Sequence, residues 1–449
     1  MDEIRTLLEG VRLPRMFRVR QIFDHTCIRR EELRRTVSHL LTAEKLGKRI
    51  CPGMRVALTA GSREICNMDE ILAAAVECLK EQGARPFILP EMVRAILDTM
   101  KEWGAEPFIV PAMGSHGGAT AEGQRELLAS YQITEERCGC PILSSMETVP
   151  IGSTPDGQTV FLDRYAAEAD GILVVNRMKA HTGFRGRYES GILKMMVIGL
   201  GKQTGAEACH RRGFGHMAED LEAFGRVVLQ KAPILGAIAI LENAFDETAQ
   251  LVGLEPEEIL EREPGLLEQA KAQMPQILLP ECDVLIVDEI GKNYSGTGMD
   301  PNVTGRHVTP YCSGGLRVQR IVVLRMSGKS HCNGYGIGAA DCTTQAVYRT
   351  LDLRAMYING LTCGEMGPCR IPCVWETEKL AIQAAVRMCE GIGRQGPRMI
   401  RIPNTLSLEK IMVSENLRAE VEKNPRLEIR GEPENFIFGE DGCLSSSIG

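Results

Sequence analysis

The sequence predicts an α/β protein of two domains, each with a mostly parallel or mixed sheet flanked by helices, and an active site in the cleft between them. Short apolar runs alternate with helical stretches, which is typical of parallel sheets covered on both faces. The chain has 449 residues, more than one ordinary core accommodates. A charged helical segment at 255–276, with prolines at its end, indicates the passage between domains. We therefore place the domains at 1–270 and 275–449.

Short apolar runs predict the individual strands. Each is apolar at consecutive positions, as expected for a strand that is buried on both faces of its sheet. The runs are 55–59, 107–110, 171–175, 236–240, 283–287 and 320–324.

A tandem repeat lies between the first and third of these runs and contains the second, 107–110. Residues 70–90 and 91–111 each contain apolar residues at helical spacing, then Gly-Ala, then Pro-Phe-Ile. Two copies are too few for a solenoid, so we interpret the repeat as a local duplication of one helix–strand unit. A lid or an additional binding element is the functional alternative.

Composition excludes several classes of protein. The apolar content of 44% and charged content of 25% are typical of a globular protein in water. The net charge of −7 argues against a nucleic-acid-binding surface. No apolar run approaches the ~18 residues of a membrane-spanning helix, and the charged start is unlike a signal peptide. We expect a cytoplasmic protein without nucleic-acid or membrane partners.

The 16 cysteines are scattered along the chain. Cys363, Cys369 and Cys373 form a loose set whose spacing fits neither a zinc ribbon nor a ferredoxin. Free thiols that pack as small apolar groups are the plain interpretation, and a redox or iron–sulfur role for this set is the alternative.

Four residues are the main functional candidates: His116, His181, Lys194 and His210. Each lies in or beside a glycine-rich turn after a strand-like run, where α/β proteins present side chains to ligands. The chain has only 8 histidines, so three of them in such settings predict a functional site.

The chemistry of these side chains suggests roles. Imidazole exchanges protons near neutral pH. His116 and His181 on opposite sides of one substrate carbon would suit a reaction that must deprotonate either of two mirror-image substrates. Structural, hydrogen-bonded histidines are the alternative. Lys194 lies in an apolar stretch, where lost solvation lowers the pKa of an amine and favours a nucleophile or covalent anchor. A surface lysine is its alternative.

The remaining candidates bind metals or anions. His210 is suited to a soft or borderline metal, whose other ligands would come from a cofactor or the other histidines. Arg63 and Lys292 are candidates for a substrate carboxylate or a phosphate. Lys179 and Lys202 are interpreted as exposed charges or phosphate contacts. A zinc hydrolase or lyase with three histidine ligands, or a non-catalytic ligand-binding relative, stays open.

At these residues the chain resembles the nickel-dependent lactate racemase family. The matching segments are 114–118, 176–181, 190–194 and His210, in the family's order and approximate spacing. The resemblance is strongest from about residue 53 to 245. The stretch 291–300 resembles one of the family's longer, poorly characterised branches, which leaves the substrate open.

The resemblance implies a racemase or epimerase of a small α-hydroxy acid, with residues 1–270 as the catalytic and cofactor domain. Its cofactor is the nickel-pincer nucleotide, pyridinium-3,5-bisthiocarboxylic acid mononucleotide nickel, made by dedicated biosynthetic proteins. Lys194 would hold it through a thioamide and His210 would ligate nickel. His116 and His181 would be opposed acid/bases while hydride moves reversibly to the cofactor, and Arg63 would bind the substrate carboxylate.

Overall fold

The structure, a computed structural model, describes residues 2–42, 46, 49, 54–59, 85–88, 111, 114, 117–130, 144–445 and 448. The chain forms two compact units, Met1–Asp24 with Pro275–Gly449, and His25–Met274. Each unit has its own sheet flanked by helices, which confirms the predicted α/β class. The location of the active site in a cleft between domains stays a prediction.

The strands are numbered in chain order over the described residues. They are β1 (Met16–Gln21), β2 (Arg55–Leu58), β3 (Arg85–Ile88), β4 (Thr148–Ser153), β5 (Thr159–Asp163), β6 (Gly171–Arg177), β7 (Ile234–Glu242), β8 (Thr248–Leu254), β9 (Glu281–Ile290), β10 (Arg317–Met326), β11 (Cys342–Thr344), β12 (Cys373–Trp375), β13 (Met399–Ile402), β14 (Lys410–Ser414) and β15 (Leu427–Glu434).

The α-helices are numbered in the same way. They are α1 (Asp2–Glu9), α2 (Arg30–Thr42), α3 (Ala121–Ser130), α4 (Arg164–Ala167), α5 (Ile192–Lys194), α6 (Lys202–His210), α7 (Met217–Lys231), α8 (Pro256–Gln273), α9 (Pro301–Thr304), α10 (Gln345–Thr350), α11 (Leu353–Cys363), α12 (Glu378–Arg387) and α13 (Arg418–Lys423). None of the helices in the described part of the chain has the length and apolar character needed to cross a bilayer.

The unit of residues 25–274 contains a five-stranded sheet in the order β3-β2-β6-β7-β8. The first four strands are parallel, and β8 joins the edge antiparallel to β7. The predicted strands at 55–59, 171–175 and 236–240 are confirmed as β2, β6 and β7. β3 contains the Pro-Phe-Ile of the first repeat copy, while the predicted strand at 107–110 lies outside the described residues.

Helix α8 confirms the predicted charged helix at 255–276. Its start is explained by a capping box, in which the Glu258 side chain accepts the backbone N–H of Glu255 at 3.0 Å, and by proline at its first position. Its buried side chains include Ile259, Leu266 and Leu267, which join the core beneath the sheet.

The other unit contains an eight-stranded sheet in the order β12-β11-β10-β9-β13-β14-β1-β15. The first five strands of this order, from β12 to β13, are parallel to one another. The last three, β14, β1 and β15, each pair antiparallel with the strand before them. The predicted strands at 283–287 and 320–324 are confirmed within β9 and β10.

Residues 1–24 belong to this second unit, whereas the sequence placed them in the domain 1–270. The physical reason is strand pairing, because β1 lies between β14 and β15 and hydrogen-bonds to both. Its side chains Met16, Phe17 and Val19 are buried there. The two units meet in sequence at Met274 and Pro275.

A buried ion pair joins two parallel neighbours of this sheet. The guanidinium of Arg401 on β13 donates to both carboxylate oxygens of Asp288 on β9, at 2.7 and 2.8 Å. Arg401 is only 1% exposed. A bidentate pair of this kind satisfies both charges, and removing Arg401 leaves the mostly buried Asp288 carboxylate with only the guanidinium of Arg325, 3.9 Å away.

We therefore expect Arg401→Met to lower the free energy of unfolding by about 3–5 kcal/mol, measured by chemical denaturation. The matched control is Arg418→Met, because Arg418 pairs with Glu422 at 2.9 Å on the exposed surface. That control should lose less than about 1 kcal/mol. Equal losses in the two variants would contradict the buried pair.

Candidate active site at the carboxyl end of β6

The backbone leaves β6 in a loop that closes on itself. The N–H of Lys179 donates to the carbonyl of Ser190 at 2.8 Å, and the N–H of Ser190 donates back at 3.2 Å. His181 lies in this loop, beyond the carboxyl end of a central parallel strand. Such loops are where open α/β sheets bind ligands.

A buried carboxylate, that of Glu189, anchors the loop. It accepts the backbone N–H of His181 at 2.7 Å, and the ammonium of Lys271 on α8 lies 2.9 Å from its other oxygen. The Glu189 side chain is fully buried. Since a buried carboxylate needs several donors, these contacts hold the His181 backbone firmly in place.

The hydrogen bond at the His181 ring selects a tautomer. Gly183 N–H donates to Nδ1 at 3.0 Å, so the neutral ring carries its proton on Nε2. The ring is half-buried and packs on Phe184, with 4.4 Å between ring centroids. Nε2 can accept a proton only when the proton of the neutral ring is on Nδ1 instead. In that tautomer Nδ1 no longer accepts the Gly183 N–H, so this hydrogen bond must break.

Lys194 ends the short helix α5, which continues directly into a π-helical turn, Met195–Gly199. Turns of this kind are frequent at functional sites. The helix is held at its start, where Leu193 N–H donates to the Glu263 carboxyl at 3.0 Å. The Lys194 side chain is half-buried.

His210 is the last residue of α6, and its ring is oriented by its own helix. Nδ1 lies 2.6 Å from the carbonyl oxygen of Ala206, so Nδ1 carries the proton and Nε2 keeps its lone pair. Burial lowers the pKa of His210, and the ammonium of Lys194 lowers this pKa further. A neutral imidazole whose other N–H donates to a backbone carbonyl is the form that ligates metals.

Three of the predicted residues thus come together. The Phe214 ring lies between the two imidazoles, 6.2 Å from the centroid of His181 and 5.8 Å from that of His210. The charge of Lys194 acts on His210 in the same place. The structure therefore brings His181 and His210 beside one aromatic ring that the sequence did not single out, with Lys194 close enough to act on His210.

The fourth candidate of this set, His116, and the arginine Arg63 lie outside the described residues. Gly114, two positions before His116 in the sequence, is described. It has a left-handed φ of +58°, and a Cβ there would lie 3.3 Å from the carbonyl oxygen of Ile198. Gly114 therefore packs against the π-helical turn that follows Lys194.

Lys292 lies in the other unit. Its ammonium donates to the carbonyl of Gly296 at 2.8 Å and lies 4.5 Å from the centre of the Tyr335 ring. Its expected role in anion binding stays a prediction.

No group of three or more His, Cys, Asp or Glu side chains suited to hold a metal ion occurs within the residues that the structure describes. The loose cysteine set includes Cys363, whose Sγ lies 2.8 Å from the hydroxyl of Tyr335.

The expectation that Lys202 is exposed is wrong. Its side chain is completely buried, with Nζ 3.3 Å from Oδ2 of the equally buried Asp163. Burial raises the pKa of the Asp163 carboxyl and lowers the pKa of the Lys202 amine. The pair ties the end of β5 to the first residue of α6, the helix that ends at His210.

We expect Lys202→Met to lower the free energy of unfolding by about 3–5 kcal/mol, because it leaves a buried carboxylate without its countercharge. The double variant Lys202→Met, Asp163→Asn should recover most of this loss, since Asn keeps the cap that Asp163 provides to the N–H of Ala166. Thermal and urea unfolding measure both. A single variant as stable as the wild type would refute the pair's contribution.

Two comparisons with known proteins gave matches to lactate racemases. Residues 20–221, which include His181, Lys194 and His210, match the family described as the lactate racemase N-terminal domain. Among solved structures, the chain is similar to the lactate racemase apoprotein from Thermoanaerobacterium thermosaccharolyticum, with 12% identity, 85% of this chain and 93% of that chain covered, and a TM-score of 0.48. No curated protein matches the chain. Residues 20–221 are therefore similar to the lactate racemase N-terminal domain, the family that the motifs of the chain resemble.

Proposed function

We propose that the protein is an isomerase, a racemase or epimerase that acts on a small α-hydroxy acid with a nickel-pincer nucleotide tethered to Lys194. One observation carries the proposal: the imidazoles of His181 and His210 both lie beside Phe214, and the half-buried amine of Lys194 acts on His210, within the segment that matches the lactate racemase N-terminal domain. If the two histidines were structural and the lysine were an ordinary surface residue, nothing would require them to lie close together.

The described residues fit the cofactor. Lys194 would hold it through a thioamide, and His210 would offer Nε2 to the nickel, because the Ala206 carbonyl occupies its Nδ1 proton. When bound, the nickel-pincer nucleotide supplies a reversible hydride acceptor, which protein side chains alone do not provide. Lys194 and His210 are the two residues that would hold the cofactor. The π-helical turn and α6 lie between them in the sequence.

His181 and His116 would move the hydroxyl proton of the substrate. In its neutral form His181 donates from Nε2, and proton uptake at this atom is coupled to release of the Gly183 amide. Gly114, two positions before His116 in the sequence, packs against Ile198 in the turn that follows Lys194. The rings of Phe184 and Phe214 lie beside the His181 ring, at centroid distances of 4.4 and 6.2 Å.

Other features of the proposal follow from the same assignment. Arg63 and Lys292 would bind the substrate carboxylate, as their charge allows. Partners would be the hydroxy acid and the proteins that make the cofactor, in the cytoplasm. A zinc hydrolase or lyase, and a non-catalytic ligand-binding role, have no contact in the described residues that favours them.

The test is to produce the chain together with the cofactor-biosynthetic enzymes. Intact mass should reveal an adduct that Lys194→Ala abolishes and that Lys231→Ala, an exposed lysine on α7, retains. His210→Ala should keep the adduct but lose nickel. On a panel of single-enantiomer hydroxy acids resolved by chiral chromatography, His181→Ala should lower racemisation by about 10²–10⁴-fold.

The alternatives predict different results. Stoichiometric zinc without an organic adduct, and activity that survives Lys194→Ala, would favour the hydrolase or lyase. An adduct with nickel but no turnover on the whole panel would favour the non-catalytic relative. Absence of both adduct and nickel would contradict the proposed cofactor.

A further inference from the structure

Glu263 is a buried acid that the proposed mechanism does not use. It lies on α8 and is 1% exposed. Burial raises the pKa of its carboxyl to about 8. Because burying an ionisable group costs free energy, the contacts of this carboxyl indicate what its position stabilises.

The Glu263 carboxyl contacts the backbone of the segment that carries Lys194. Leu193 N–H donates to Oε2 at 3.0 Å, and the N–H of Ile192 also bonds the carboxyl. These amides begin α5, where a helix has N–H groups without intrahelical partners. Since α5 spans only Ile192–Lys194, the carboxyl fixes its first turn immediately before the lysine.

Gly191 allows this close approach. A Cβ at Gly191 would lie 2.3 Å from Oε1 of Glu263 and 2.7 Å from Cε of Met178. The Gly191 carbonyl accepts the side-chain N–H of Asn176, at the end of β6, at 2.8 Å. The backbone entering the Lys194 turn is therefore held by α8 on one side and by β6 on the other.

We propose that Glu263 is a positioning residue for Lys194, which holds the turn from which the lysine amine extends beside His210 through the amides of Ile192 and Leu193. The importance of placing Lys194 rests on the proposed function, whereas the contact itself exists without cofactor. The contact works through an acceptor oxygen. Glutamine at position 263 should therefore preserve the contact. Methionine, which has a similar volume but no such oxygen, should abolish it.

The experiment compares full-length, cofactor-free Glu263→Met and Glu263→Gln with the matched control Glu261→Gln, an exposed acid on the same helix. Hydrogen exchange read by mass spectrometry follows the amides of Ile192 and Leu193. Trace labelling with acetic anhydride from pH 6 to 11 follows the reactivity and pKa of the Lys194 amine.

We expect Glu263→Met to raise exchange at these amides at least about tenfold, because two buried N–H groups lose their acceptor. It should also shift the Lys194 labelling profile toward that of an exposed lysine. Glu263→Gln and Glu261→Gln should leave exchange within about threefold of the wild type and the labelling profile unchanged.

Unchanged exchange in Glu263→Met would overturn the contact. Raised exchange with an unaltered Lys194 profile would overturn the positioning role and reduce Glu263 to a packing residue. Both readouts use cofactor-free protein. A chain that takes up no nickel cofactor but shows both shifts would refute the proposed function while supporting this inference.

Discussion

The site depends on one constraint: the irregular backbone between β6 and α6 is largely buried, and its N–H groups need acceptors. Buried side chains provide them. Glu189 accepts the amide of His181, and Glu263 accepts the amide of Leu193. Asn176 bonds the carbonyl of Gly191. Side chains with no part in the proposed chemistry therefore determine where His181 and Lys194 lie, and the parallel sheet provides the rigid base from which this segment departs.

Within that frame the two described imidazoles are prepared for different tasks. The Nδ1 atom of His181 accepts a backbone N–H, whereas the Nδ1 atom of His210 donates to a backbone carbonyl. His210 therefore presents a lone pair at Nε2, and neutral His181 presents a proton. The distinction between a metal ligand and a hydrogen-bond donor arises from main-chain hydrogen bonds two and four residues away in the sequence.

The sequence predicts the features that depend on local pattern. Strands such as β6 and β9 are recognisable because burial on both faces makes them continuously apolar. His181, Lys194 and His210 stand out because of their glycine-rich surroundings. Features that depend on distant partners were not predictable: β1 pairs with strands about four hundred residues away, and Lys202 meets Asp163 only after β5 and α6 pack. Glu263 carries no local signal that it will meet Leu193. Arg63 and His116 stay predictions.

The most direct test of this account is the state of His210 in solution, measured by ¹⁵N NMR of histidine-labelled protein across pH. We predict the Nδ1–H tautomer, a pKa below the usual range for histidine, and a rise of that pKa when Lys194 is replaced by alanine. An Nε2–H tautomer, or a titration that does not respond to Lys194, would contradict the claim that these side chains form one site.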